Sequence, residues 1–197
     1  SKIFKKVFFS VAPSDAGLSL GGAKYLYFKL TKKRFKNLSP YIGPSFDNHE
    51  IEELLTKFRL KFSKIKNVEK KTAKLISTGN VVGWFQGRGE IGHRALGNRS
   101  ILADPRKLNA KELVNQRLKK RDWFMPYAPA VLEEDMKFFT NKDYFSAYMQ
   151  VAFNVNNSIK NKIRSTIHID NTARIQTVSK KTNYKFWKLL KEFKKNT

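Results

Sequence analysis

Apolar positions recur at helical spacing in several separate stretches of the chain. Ile51, Leu54, Leu55 and Phe58 fall at i, i+3, i+4 and i+7, behind an Asp47–Glu50 pair spaced to cap a helix at its start. From Val68 to Ser77, Thr72, Leu75 and Ile76 share one side, and Gly79 follows as a stop. Beyond Tyr184, Phe186, Leu189, Leu190 and Phe193 form a single stripe. A helix is also predicted from Asn109 to Lys120, and the turn at Pro13–Gly17 should run into a helix of small residues. Other segments alternate with a period of two. Val81–Phe85 is short, β-rich and bounded by turn residues, which predicts a buried strand. Tyr148–Val155 alternates, and so does Thr172–Val178, where Arg174 and Gln176 share one face and Ala173, Ile175 and Thr177 the other. Helices and strands intermingle, so the predicted class is α/β. Tyr41-Ile42-Gly43-Pro44 is the best candidate boundary between two parts.

Composition narrows this picture. The 197 residues are 41% hydrophobic, enough for a domain with a real core, or a domain plus part of another. No apolar run reaches membrane-spanning length, and lysines break the basic N-terminal stretch before it can form a signal-peptide core. With no cysteine, thiolate metal binding and thiolate nucleophiles are excluded, and a cytoplasmic setting is the expected default. The net charge of +24 admits a nucleic-acid or anionic-surface binder, or simply lysine-rich solvated faces. Lysines are spread along the whole chain. The arginines are not: of 10, six (Arg88, Arg94, Arg99, Arg106, Arg117, Arg121) lie between positions 88 and 121. A guanidinium fork suits bidentate phosphate recognition, so this clustering predicts a site.

The strand at Val81–Phe85 empties into Gln86-Gly87-Arg88-Gly89-Glu90-Ile91-Gly92-His93-Arg94-Ala95-Leu96-Gly97-Asn98-Arg99-Ser100. Glycine lets successive amides point inward around an anion, and a helix beginning near Arg94 would add its own N-terminal amides. The chemistry indicated is a polyanion, against the alternative of a basic turn with structural glycines. A second cationic group lies at Arg117-Leu118-Lys119-Lys120-Arg121, where Arg117 and Arg121 would share a helix face and the alternative is an idle basic helix end.

The run from Val82 to Arg106 closely resembles the signature of the carbamoyltransferase family that includes nodulation, cephamycin and tobramycin carbamoylating enzymes. Ser14–Ala23, Tyr41–Phe46, Lys119–Glu134 and His168–Val178 fall in the same family's order. The resemblance implies a YrdC-like twisted sheet with flanking helices over residues 39–197, preceded over 1–38 by the end of an actin-like (Kae1-like) domain. The sheet is expected to be incomplete, because the chain stops at Thr197 before the family's Asn-Thr-Ser-x-Asn stretch. The implied activity is formation of carbamoyl-adenylate from carbamoyl phosphate and ATP with Mg²⁺, then transfer to a hydroxyl of a sugar or other small molecule. Arg88, Arg94, Arg99, Lys119 and Arg121 are the expected catalytic residues. Nucleotide contacts are expected from Arg94, Asn98, Ser100, Lys119, Arg121 and Arg174. Asp15 matches a metal-ligand position, with Fe²⁺ implied at the Kae1-like site of a complete enzyme and its histidine partners expected upstream of Ser1. Met125 stands where relatives often have arginine, and His93 where they commonly have proline. A second chain supplying the missing parts is an expected partner; rival readings are a non-catalytic RNA-binding module and an inactive remnant.

Overall fold

The computed structural model describes residues 3–5, 7–35, 39–107, 109–142 and 144–197, and of Arg117 the backbone alone. The expected junction at 38/39 and the comparison of the Arg117 and Arg121 side chains therefore touch residues outside that description. The architecture is mixed α/β, built from small pieces. After a 3-10 turn at Asp15–Gly17 come α1 (Leu18–Thr31), α2 (Asn48–Lys57), α3 (Val68–Ser77), β1 (Val82–Phe85) and β2 (Arg99–Leu102). Then follow α4 (Ala110–Glu112), which continues as a π-helical stretch Leu113–Lys119, β3 (Ala130–Leu132) and α5 (Met136–Phe139). The chain closes with β4 (Phe153–Asn154), α6 (Asn157–Lys160), β5 (Thr172–Ala173), β6 (Gln176–Val178) and α7 (Tyr184–Lys195).

Local chemistry accounts for the helix ends. Asp47 accepts from the Glu50 amide at 2.8 Å while Glu50 accepts from the Asp47 amide at 2.7 Å, a reciprocal capping box at the head of α2. At the foot of α3, Gly79 adopts φ +98°, the Asn80 amide donates to the Leu75 carbonyl and the Gly79 amide to that of Ile76. That pair of bonds needs a left-handed residue, which is why glycine stops the helix there. Asn183 caps α7 by accepting from the Phe186 amide.

Two apolar clusters form the core. One gathers Val131, Met136, Phe153, Val155, Ile163, Ala173 and Ile175; the other gathers Ile76, Trp84, Val178, Phe186 and Leu189. Parallel strands β3 and β6 join them, since Val131 belongs to the first and Val178 to the second. An apolar cleft of about 510 Å³ opens between β2, β3 and the C-terminal half of α7. The stripe of α7 behaves as predicted, with Phe186 and Leu189 buried against α3 and the second cluster. The stripe of α2 does not: Leu54 and Phe58 face solvent, and no residue of α2 is buried. Neither is any residue of α1.

Three strand expectations are corrected. Val82–Phe85 is not buried throughout: it pairs antiparallel with β2 alone, Trp84 inward and Phe85 out. Tyr148–Val155 is strand only at Phe153–Asn154, because Met149 turns left-handed at φ +54° and the preceding residues form turns. Thr172–Val178 is interrupted. Its first two residues pair with β4 and its last three with β3, so Arg174 and Ile175 lie where the chain leaves one sheet and enters another.

Gly97 locks the second cluster to the glycine-rich loop. Its φ is +102°, and a Cβ there would stand 2.4 Å from Cδ1 of Phe186. Gly97→Ala should therefore destabilise the fold by roughly 2–4 kcal/mol through backbone strain and overpacking, read as a lowered Tm in a circular-dichroism melt.

Candidate active site

The loop between β1 and β2 is held by its own polar groups. Glu90 accepts from the amides of Leu96 (2.9 Å) and Asn98 (2.8 Å) through one carboxylate oxygen. Gly92 and Gly97 take φ of +96° and +102°. No helix begins near Arg94, contrary to expectation: these glycines turn the backbone out of helical range, and Glu90 occupies amides that would have been free to face an anion. The glycines serve chain-on-chain contact as well. Gly43 donates to Gly89 O, Gly89 to Pro44 O and Ile91 to Pro40 O, and a Cβ on Gly43 would stand 2.9 Å from the Gly89 Cα.

Several of the expected site residues face this frame. Arg88 donates through Nε to Gly43 O (3.1 Å) and through Nη2 to Ile42 O (3.4 Å). Arg99 donates through Nη1 to Gln86 O (2.6 Å) and Asn98 O (2.9 Å) and through Nη2 to Gly87 O (3.2 Å), its guanidinium 3.6 Å from the centre of the Phe85 ring. Buried Asn98 donates to Arg88 O and accepts from Gln86 and Asn183, while Asn183 also accepts from Gln86. Ser100 accepts from the Gly97 amide at 3.0 Å. Lys119 ends the π-helical stretch with its side chain in solvent, and Lys120 follows at φ +47°.

Arg94, Arg121 and Arg174 form a different group. Burial, and then the positive charges of Arg94 and Arg121, lower the Arg174 pKa below the ordinary arginine value, so each of the two lies close enough to act on Arg174. Among the described residues no carboxylate forms an ion pair with any of them. Nη2 of Arg121 and Nε of Arg174 are buried donors without an acceptor. Partly buried cations with unmet donors and no counter-charge raise the free energy of the empty fold, and an anion relieves both penalties at once.

The support of this trio includes residues that pattern reading passed over. Asn115 is fully buried and accepts from Arg121 Nε at 2.6 Å and from the Tyr127 hydroxyl. The Tyr127 ring lies under the Arg121 guanidinium at 4.3 Å, and burial raises the Tyr127 pKa, opposed by Arg121. Arg174 follows a loop closed by His168, whose Nδ1 meets Thr172 Oγ1 at 2.8 Å and whose amide donates to Thr172 O. Asparagine beside Val114, just ahead of a basic run, is a sequence signal too common to single out.

Asp15 is exposed in the N-terminal 3-10 turn. Among the described residues no group of three His, Cys, Asp or Glu side chains can hold a metal ion, so Asp15 would need ligands from elsewhere. No helix of the described residues is long and apolar enough to cross a membrane.

Residues 73–197 match the family described as "Carbamoyltransferase C-terminus". The chain is 38% identical to "Nodulation protein NolNO" of Sinorhizobium fredii, an alignment covering 100% of this chain and 30% of that protein. It is 38% identical to "Nodulation protein NolO" of Bradyrhizobium diazoefficiens, covering 100% and 37%. To "3'-hydroxymethylcephem-O-carbamoyltransferase" of Amycolatopsis lactamdurans it is 31% identical, covering 96% and 35%. It thus spans about a third of the length of these curated relatives.

Tyr41 ties the 39–44 segment to the loop through a 2.8 Å bond from its hydroxyl to Leu96 O. Burial pushes its pKa from 10.0 up to about 12. The unfolded chain loses this proton near pH 10 while the folded chain keeps it to about 12, so the stability Tyr41 lends is complete below pH 10 and declines as pH rises through that window. Urea melts on either side of pH 10 should show a shallower alkaline loss in Tyr41→Phe, by up to roughly 2–3 kcal/mol.

Proposed function

Since the chain belongs to the carbamoyltransferase family, on the part described as its C-terminus, we propose that it carries the phosphate-handling site of an ATP-dependent O-carbamoyltransferase. The observation that carries the reading is the trio Arg94, Arg121 and Arg174, with two buried N–H donors lacking acceptors and, among the described residues, no ion-paired acid. Carbamoyl phosphate and ATP are both polyanions. Bringing them together requires that their repulsion be offset and their geometry fixed, and guanidinium groups held rigidly beforehand do both. In this reading Arg121 Nη2 and Arg174 Nε donate to phosphate oxygens and Arg94 adds charge at the rim. Lys119 and Lys120 draw the ligand in, and any Mg²⁺ arrives on the triphosphate itself.

Arg88, Arg99, Asn98 and Ser100 hold the loop that carries Arg94, since their polar atoms are directed at neighbouring backbone and amide groups. The implied chemistry first passes the phosphoryl group of carbamoyl phosphate to water, releasing orthophosphate and leaving carbamate. A carbamate oxygen then displaces pyrophosphate from the α-phosphate of ATP, and the carbamoyl carbon of the adenylate is taken by a hydroxyl, which gives up its proton as AMP leaves. The relative named as a 3'-hydroxymethylcephem-O-carbamoyltransferase supports an alcohol on a small molecule as acceptor. The reading extends to a YrdC-like unit over 39–197 and the end of a Kae1-like unit over 1–38, with acceptor and metal chemistry supplied by the further length that the relatives have.

Isothermal titration with ATP and with carbamoyl phosphate tests the site. Wild type should bind, and Arg174→Ala, Arg121→Ala and Arg94→Ala should each weaken binding by about tenfold to a hundredfold, the worth of one charge-assisted bond. Equal binding in wild type and all three variants would sink the assignment. Tight RNA binding that falls steeply with salt and survives these substitutions would point instead to a phosphate-backbone binder using the diffuse lysines.

A further inference from the structure

We propose that Asn115 is a positioning residue for the anion site: it sets the orientation of Arg121 and, with the same side chain, the path of the Trp123–Met125 loop beside it. The inference rests on reading the arginine trio as a phosphate site and adds a residue to it. Asn115 is fully buried, and all of its polar capacity is directed at this neighbourhood. Its Oδ1 accepts from Arg121 Nε at 2.6 Å and from the Tyr127 hydroxyl, while its Nδ2 donates to Trp123 O at 3.3 Å and Met125 O at 3.0 Å.

The backbone of the same residue takes part. The Arg121 amide donates to the Asn115 carbonyl at 3.1 Å, a span of six residues that the π-helical stretch Leu113–Lys119 and the left-handed Lys120 make possible. Arg121 is thus fixed by its main chain and by Nε to a single residue, and Tyr127 closes the ring side. That clamp leaves Nη2 as a buried donor without a partner; Nε of Arg174, a residue on which the Arg121 charge acts, is equally unmet. A carboxylate in place of this amide would offset the charge that the site needs, and an aliphatic group would release Arg121. The amide is the neutral group that accepts from a guanidinium while donating to two carbonyls.

Asn115 acts through Arg121, which makes the idea testable by a double-mutant cycle with inorganic pyrophosphate as the probe. Titrations are run on wild type, Asn115→Ala, Arg121→Ala and the double variant, each shown to be folded by its melting curve. The expected result is a loss of about tenfold for Asn115→Ala alone and no further loss when it is added to Arg121→Ala. Independent losses that multiply in the double variant would mean that Asn115 only supports the fold, and would overturn the proposal while leaving the anion site standing. Absence of pyrophosphate binding by the wild type would overturn both. If Asn115→Ala does not fold, Asn115→Ser carries the same cycle with the same two outcomes.

Discussion

A buried guanidinium keeps its charge and its five donors, so a fold that encloses arginines must supply acceptors or leave room for a ligand that does. This chain divides its arginines along that line. Arg88, Arg99 and Arg106 are met inside the protein, the first two by backbone carbonyls and the third by Asp104 at 2.6 Å. Arg121 and Arg174 are each left with a buried N–H unmet, and the charges of Arg94 and Arg121 bear on Arg174 instead of an acid. In the proposed reading the second set is where an anion gains most, and the first holds its neighbours still enough for that gain to be directional.

The topology serves this division. Arg174 falls at the break between β5 and β6, where strand pairing passes from one small sheet to another and a side chain is not committed to either ladder. Arg121 follows a π-helical stretch, an irregularity that often accompanies functional sites because it re-aims the chain at the helix end. Arg94 rides on a loop bound at both ends by β1 and β2. Each guanidinium is delivered by an interruption of regular structure.

Much of the scaffold was legible because it depends on local rules. The Asp47–Glu50 capping box, the Gly79 stop and the α7 stripe all emerged as the pattern implied. The strand expectations failed where pairing partners decide the outcome, as at Tyr148–Val155, since alternation along one segment carries no information about what lies beside it. At the site, Arg94, Arg121 and Arg174 could be named from clustering and resemblance, and the charges of the first two act on the third. What could not be read was that Arg88 and Arg99 bond backbone carbonyls, or that Asn115 accepts from Arg121, because each follows from which group lies within reach after folding. The glycines left two readings open, and at Gly43 and Gly97 the partner approached is the protein's own backbone and the Phe186 ring.

That last contact has a consequence for motion. Composition alone would mark the β1–β2 loop as a floppy segment, open to solvent exchange at little expense. Yet Phe186 presses on Gly97, and Asn183, one turn away, caps α7 while binding Asn98 and Gln86. To swing open, the loop must undo the first turn of a helix rooted in the second apolar cluster. The glycine-rich stretch and α7 should therefore share one cooperative unit, with amide protection in the loop set by the stability of the helix beneath it.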